Sequence, residues 1–134
     1  MDASVLPENL LLRFSLAAAA VRDCTEARVF SHNDADGIGA ASVLTSMLVR
    51  AGKGSQTTNL KSFDLPSIQA SLVKGVDLLI VADMGSSNLT ALESLGTKVI
   101  VLDHHRPEKD SENVIHLNPS VFKVDGARYA CAST

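Results

Sequence analysis

Three apolar segments of this 134-residue chain each run directly into acidic residues or histidines. They lie at 28–31, 76–82 and 98–102. Continuous runs of branched apolar residues are typical of parallel strands that are covered on both faces. Because the carboxyl ends of parallel strands meet at one edge of a sheet, we expect the polar residues after these segments to lie in a single crevice.

Strand and helix patterns alternate along the chain, with apolar residues at helical spacing between the strand-like runs. We therefore predict an α/β fold: a doubly wound, mostly parallel sheet of about five strands flanked by helices. A further helix is expected from Gly126 onward. The predicted strands are 28–31, 56–63, 76–82, 98–102 and 114–117, and the predicted helices are 7–22, 37–50, 65–73 and 86–95.

Three of these elements carry specific expectations about packing. The first helix should begin at Pro7 and bury Ala18 among its apolar residues. In the second helix, Ile38 should lie on the same inward face as Leu44. The strand at 56–63 is rich in threonine and polar residues, so we expect it near an edge of the sheet.

The residues at the three strand ends are of the types that bind metal ions. Carboxylates that are brought together raise each other's pKa values, and cations remove that cost. A mixture of oxygen and imidazole ligands favours Mn²⁺ or related ions, and two ions about 3.5–4 Å apart can clamp a phosphoryl group. An isolated Asp-x-Asp-Gly is often only a helix cap, but three such strand ends together predict a metal site. The candidate residues are His32, Asp34, Asp36, Asp83, Asp103, His104 and His105.

Composition limits the other possibilities. The net charge is −3 and aromatic residues make up 4%, so the chain shows neither a clear basic face nor an evident platform for stacking bases. Cys24 and Cys131 form no CxxC pair, which favours the cytoplasm over an oxidising compartment. No segment approaches the roughly 18 apolar residues of a membrane span. We expect His116, which lies inside a strand, to be structural.

The three motifs resemble, in order, the first three motifs of the DHH superfamily of phosphoesterases. They are the acidic pair before Gly37, Asp83 with the following Met-Gly, and the triplet that begins at Asp103. The run at 31–42 and Asn118-Pro119 resemble RecJ-like proteins in particular, including archaeal ones. The superfamily also includes oligonucleotide phosphatases, cyclic-dinucleotide phosphodiesterases and manganese pyrophosphatases. The similarity extends from about residue 27 to the end of the chain.

The resemblance implies a role for each motif residue. Asp34 and Asp36 would each hold one ion, and Asp83 would bridge two Mn²⁺ or Mg²⁺ ions. His105 would act as donor or acid beside the phosphate. Asp103 would orient the histidines as the second catalytic residue. The implied metal ligands are His32, Asp34, Asp36, Asp83 and His104, and the implied phosphate contacts are Arg106 and Gly37.

The resemblance also implies that the chain is the N-terminal part of a longer DHH domain. Family members carry a fourth, acidic motif and a C-terminal substrate-binding domain, both expected beyond Thr134. The expected activity is hydrolysis of phosphodiester bonds in single-stranded nucleic acid or short oligonucleotides, weak or absent in this segment alone. Two alternatives remain open: an inert scaffold that binds replication or repair proteins, and a phosphatase of small nucleotides or pyrophosphate.

Overall fold

Every strand of the central sheet runs parallel to its neighbours. The computed structural model describes residues 8–122, and the sheet within them has five strands in the order β2-β1-β3-β4-β5. In chain order the elements are α1 (Glu8–Asp23), β1 (Glu26–His32), α2 (Ala35–Arg50), β2 (Gly54–Leu60), α3 (Leu65–Ser71), β3 (Leu78–Ala82), α4 (Leu89–Glu93), β4 (Val99–Leu102), β5 (Ile115–Leu117) and a 3-10 helix (Pro119–Phe122).

The strand order places a topological switch point between β1 and β3. The chain leaves β1 toward one edge of the sheet to form β2, then returns to the other side of β1 to form β3. The loops after β1 and β3 therefore diverge to opposite sides, and a crevice opens between them at the carboxyl ends. The predicted doubly wound sheet and the edge position of the polar strand are both confirmed.

The core has two layers, one on each face of the sheet. Along β3, Leu78 and Ile80 contribute to the layer that contains α1 and α2, whereas Leu79 and Val81 contribute to the layer that contains α3 and α4. All five residues of β3 are buried, as expected for a central parallel strand. Burying each large aliphatic side chain contributes about 1.5–3 kcal/mol, so the central strands are firmly fixed.

Several predicted details are wrong. Ile38 is 47% exposed, because α2 turns Gly37, Ala40 and Ala41 toward the sheet instead. Ala18 is exposed, and Ala20 takes the buried position in α1. The strand expected at 56–63 ends at Leu60.

The helix expected at 86–95 is confined to Leu89–Glu93. The residues before it form a tight turn instead, in which Gly85 adopts a φ of 108° and the Asn88 amide donates to the Gly85 carbonyl. This turn keeps the backbone after β3 close to the sheet edge, where the polar residues gather.

The expectations about Pro7, Gly126 and Cys131 lie outside the described residues. Within them, Cys24 is a buried free thiol. No helix in the described part of the chain is long and apolar enough to cross a membrane.

Candidate metal centre at the carboxyl edge of the sheet

The predicted site residues converge at the carboxyl ends of β1, β3 and β4, beside the switch point. An open cleft of about 290 Å³ lies there. Polar residues from all three strand ends form one part of its wall, and the loops after β2 and β3 form the rest. The lining residues are His32, Asp34, Phe63, Asp83, Met84, Gly85, Ser87, Asn88, Asp103 and His105.

Asp34 both caps α2 and faces the cleft. Its Oδ1 accepts a hydrogen bond from the Gly37 amide at 2.8 Å, which closes the first turn of the helix. A Cβ on Gly37 would lie 2.0 Å from the His32 carbonyl oxygen, so only glycine allows this close approach. The Gly37 amide, followed by His32, lowers the pKa of Asp34 to about 2. Asp34 is therefore ionised at any physiological pH.

His32 directs one ring nitrogen at the carboxylates and the other at the backbone. Its Nε2 lies 2.9 Å from the Lys61 carbonyl oxygen, which can only accept, so Nε2 carries a proton. Its Nδ1 lies 2.8 Å from Asp34 Oδ2 and 3.8 Å from Asp83 Oδ2. The hydrogen bond with Asp34 raises the pKa of His32. A metal ion would replace the proton on Nδ1, since the tautomer is already set for coordination.

Asp83 occupies the centre of the site at the end of β3. It is 3% exposed and adopts a φ of 59°, in the left-handed region that aspartate tolerates better than most residues. Burial raises the pKa of Asp83 to about 7, and the nearby carboxyl groups of Asp34 and Asp36 add to the effect. A buried carboxylate among other carboxylates requires either a proton or a cation.

His104 lies between two of these carboxylates. Its Nε2 is 3.1 Å from Asp36 Oδ2 and 3.1 Å from Asp83 Oδ1. The two oxygens of Asp83 therefore face different partners, because Oδ2 is the one nearer His32. This arrangement is the one expected of a carboxylate shared between two neighbouring ligand sets.

Asp103 and His105 form a separate pair. His105 Nδ1 donates to Asp103 Oδ1 at 2.6 Å, and Asp103 also accepts from the amides of His104, His105 and Ser86. Burial alone would raise the pKa of Asp103, but these hydrogen bonds, led by that of His105, outweigh it and lower the pKa. For His105, burial acts to lower the pKa, but Asp103 outweighs it and the pKa is raised. The pair leaves His105 Nε2 for contacts in the cleft.

The donor atoms fit divalent metal ions. Two groups have ligand atoms that all lie within 4.8 Å of one another, and Asp83 belongs to both. Carboxylate oxygen with imidazole nitrogen is a donor set that suits Mn²⁺ and related ions. The buried Asp83 carboxyl and the cluster of carboxylates around His32 Nδ1 both indicate that a cation would stabilise the site. The groups are His32, Asp34 and Asp83, and Asp83, Asp103, His104 and His105.

The two residues predicted to contact phosphate lie differently. Arg106 is exposed at the edge of the site, and no ion pair links it to another residue within 8–122. The Gly37 amide is already engaged by Asp34, so its observed role is to hold a carboxylate. Contact of either residue with phosphate stays a prediction.

The structure adds residues that motif reasoning missed. Ser86 and Asn118 are fully buried behind the site and bond to its loops, although neither has a side chain that would suggest metal binding. The contact of the Lys61 carbonyl with His32, which sets the His32 tautomer, could not be predicted from the sequence, because every residue has a backbone carbonyl. Asn118 had one signal, its place in the Asn-Pro pair that resembles RecJ-like proteins.

The fold and the site together define a class: parallel α/β domains that gather acidic residues and histidines, in a geometry suited to metal ions, at the topological switch point. The chain belongs to the DHH family, since residues 26–134 match that family's N-terminal domain.

Comparisons with individual proteins agree with this assignment. The uncharacterized protein MJ0831 of Methanocaldococcus jannaschii is 39% identical over 114 residues, which cover 79% of this chain and 26% of that protein. YorK of Bacillus subtilis is provisionally named as a prophage-derived single-strand DNA-specific exonuclease. It is 48% identical over 46 residues, which cover 32% of this chain and 8% of that protein.

Among solved structures, the crystal structure of exonuclease RecJ bound to manganese superposes with a TM-score of 0.76 at 25% identity. The match covers 96% of this chain and 36% of the RecJ chain. The chain therefore spans about a quarter of MJ0831 and about a third of that RecJ chain.

Proposed function

We propose that this chain is the metal-binding part of a phosphoesterase that hydrolyses phosphodiester bonds in single-stranded nucleic acid or short oligonucleotides. The observation that carries the proposal is the shared position of Asp83. It is buried, its two oxygens face different partners, and it belongs to both potential ligand groups. A carboxylate in this position could be shared by two metal ions, and two such ions can clamp the attacking and leaving oxygens of a phosphoryl group.

The proposed division of ligands follows the distances. One ion would be held by His32, Asp34 and Asp83, whose ligand atoms already lie together. The second would be held by Asp36, Asp83 and His104, because His104 Nε2 is 3.1 Å from both carboxylates. When bound, the two ions would activate water and neutralise charge on the phosphoryl oxygens.

The proposed proton chemistry belongs to the Asp103–His105 pair. Asp103 accepts from His105 Nδ1 and so fixes the orientation of the ring, leaving Nε2 to donate to a phosphate oxygen or to the leaving oxygen. The raised pKa of His105 favours the protonated, donating form. His105 is thus the proposed acid and Asp103 the residue that positions it.

The comparisons support this choice of reaction. RecJ, which shares the fold, is an exonuclease that was crystallised with manganese, and YorK is named for single-strand DNA. We propose Mn²⁺ as the activating ion, with Mg²⁺ as its substitute. The net charge of −3 offers little attraction for a polyanion, so metal ions would supply most of the positive charge at the site.

We further propose that full activity needs protein beyond this segment. The chain spans a minor part of the relatives it matches. Its net charge of −3 and its 4% of aromatic residues also offer little to attract and stack a nucleic-acid strand. The substrate would then be poorly aligned for attack in the segment alone. Replication or repair proteins are the proposed partners of the complete protein.

The test compares this chain with a longer version that includes its downstream sequence. Both are assayed on single-stranded DNA, RNA, short oligonucleotides and pyrophosphate, with Mn²⁺, with Mg²⁺ or with a chelator. We expect Mn²⁺-dependent cleavage of single strands or oligonucleotides by the longer protein, lost in Asp83→Ala and retained in Asp23→Ala, a surface control. Activity confined to pyrophosphate would favour the small-substrate alternative. Absence of Mn²⁺ binding by calorimetry would favour the inert scaffold.

A further inference from the structure

A fully buried polar network lies directly behind the metal centre. Ser86, His116 and Asn118 have no solvent exposure, and Asp103 is 1% exposed. Ser86 Oγ lies 2.9 Å from His116 Nε2, and the Ser86 amide donates to Asp103 Oδ2 at 3.2 Å. Burying polar groups costs desolvation free energy, so we expect a buried polar network of this kind to have a structural or functional role.

Asn118 is the member that connects the loops of the site. Its Nδ2 donates to Ser86 Oγ at 2.9 Å and to the His105 carbonyl oxygen at 2.7 Å. Its Oδ1 accepts from the Ser120 amide at 2.9 Å. One side chain thus ties together the loops that follow β3, β4 and β5, and it uses both amide protons and the carbonyl oxygen to do so.

The bond to the His105 carbonyl matters because the imidazole itself is loosely held. The His105 side chain is 58% exposed, and within the described residues its ring is held by the hydrogen bond from Nδ1 to Asp103. That bond forms only while the backbone at His105 keeps its present orientation relative to Asp103. Asn118 holds that orientation from behind, without lining the cleft.

We propose that Asn118 is a positioning residue for His105: through its backbone clamp it keeps Nδ1 on Asp103 and Nε2 toward the substrate cleft. The catalytic consequence rests on the proposed function, whereas the structural consequence does not. Outer groups that orient residues of a metal site are worth about 10–100-fold in activity or affinity. We expect an effect of that size on turnover with little change in metal affinity, because Asn118 bonds to none of the proposed ligands.

The test replaces the two amide donors and leaves the shape unchanged. Asn118→Asp has the same size and keeps an acceptor for the Ser120 amide, but it cannot donate to Ser86 or His105 when ionised. Asn113→Asp, on the exposed loop before β5, makes the same chemical change away from the network and is the matched control. Should Asn118→Asp fail to fold, Asn118→Ser takes its place, since a single short hydroxyl cannot replace both donors.

The first measurement does not depend on activity. Long-range ¹H–¹⁵N spectra of the metal-free chain, with the His105 signals assigned from His105→Ala, report which ring nitrogen carries the proton at about pH 9. We expect the Nδ1–H form in the wild type and in Asn113→Asp, and loss of that preference in Asn118→Asp. A His105 ring that keeps its Nδ1–H form in the Asn118 variants would overturn the proposal.

The second measurement is a double-mutant cycle with His105→Ala, which separates positioning from general destabilisation. Turnover of bis(p-nitrophenyl) phosphate in Mn²⁺ is measured in the longer protein for each single variant and for the pair. We expect Asn118→Asp to lower turnover by about 10–100-fold in the wild type and by less than about threefold in the His105→Ala background. Equal losses in both backgrounds would refute positioning through His105. If the wild type showed no turnover, that result would count against the proposed function. The spectra would still test whether Asn118 positions His105, because they do not depend on activity.

Discussion

Replacing Asp83 with asparagine should stabilise the metal-free protein at the same time as it removes its proposed metal site. Asp83 is 3% exposed and stands beside the carboxyl groups of Asp34 and Asp36, which is why its pKa rises. Asparagine has nearly the same shape, carries no charge and adopts the left-handed backbone conformation of position 83 at least as readily. The substitution therefore removes the electrostatic penalty without creating a cavity.

The size of the effect follows from the pKa. A rise from 3.8 to about 7 would disfavour the ionised form by about 4 kcal/mol if taken in full, at about 1.36 kcal/mol per pKa unit. Solvent and salt in the open cleft screen the neighbouring charges, so we expect about half of this, or ~2 kcal/mol, at pH 8.

The sign of the pH dependence is fixed by the direction of the shift. The folded state holds the Asp83 proton more tightly than the unfolded state does. The metal-free wild type therefore gains stability from this group at low pH and loses it as the pH rises from 3.8 toward about 7. Asp83→Asn lacks this loss, so its advantage over the wild type should grow with pH and level off above 7.

The assay is urea unfolding in a chelator at several pH values between about 4.5 and 8, with m-values checked for constancy. Asp23→Asn, an exposed aspartate at the end of α1, is the control and should stay within about 0.5 kcal/mol of the wild type. A stability difference for Asp83→Asn that does not change with pH, or a variant less stable than the wild type at pH 8, would refute the reasoning.

Three further outcomes are expected. His104→Ala should weaken Mn²⁺ binding by at least about tenfold in calorimetry, whereas His105→Ala should change it by less than about threefold, because only His104 bridges two carboxylates; equal losses would contradict the assigned roles. Because Mn²⁺ must displace the proton on Asp83, the Mn²⁺ affinity of the wild type should fall by about tenfold per pH unit below 7, and calorimetry in buffers of different ionisation enthalpy should detect the released proton. An affinity that does not change with pH would contradict this linkage. Gly37→Ala should cost more than about 2 kcal/mol in urea unfolding, because the new Cβ would meet the His32 carbonyl; a cost below about 0.5 kcal/mol would show that the turn relaxes freely.

The sequence predicted the sheet and the convergence of the site because both depend on local pattern. β3 is an unbroken apolar run, so a strand covered on both faces, with Asp83 at its end, could be predicted from that run alone. The position of His104 near Asp83 followed from the same logic, since β3 and β4 are neighbours whose carboxyl ends coincide.

What could not be predicted depends on contacts that no local pattern encodes. The His32 tautomer is set by the backbone carbonyl of Lys61, a residue whose side chain is irrelevant to the contact. The failure at Ile38 arose because the buried stripe of α2 runs through Gly37, Ala40, Ala41 and Leu44, which leaves Ile38 at the exposed margin of that stripe. The clamp of Asn118 on His105 joins residues that are 13 apart, through a side chain and a backbone carbonyl.

Protons neutralise the same groups that a metal ion would. Burial and the neighbouring carboxyl groups raise the pKa of Asp83 to about 7, so it holds a proton below that pH, and the hydrogen bond with Asp34 raises the pKa of His32. Binding of a first ion would expel such protons and would leave Asp83 ionised with its other oxygen toward His104. On the proposed assignment, the first ion would thus prepare the carboxylate for the second, although the two cations would also repel each other. Sharing Asp83 would therefore couple the two ligand groups, and the balance of these opposing effects would set the strength of the coupling.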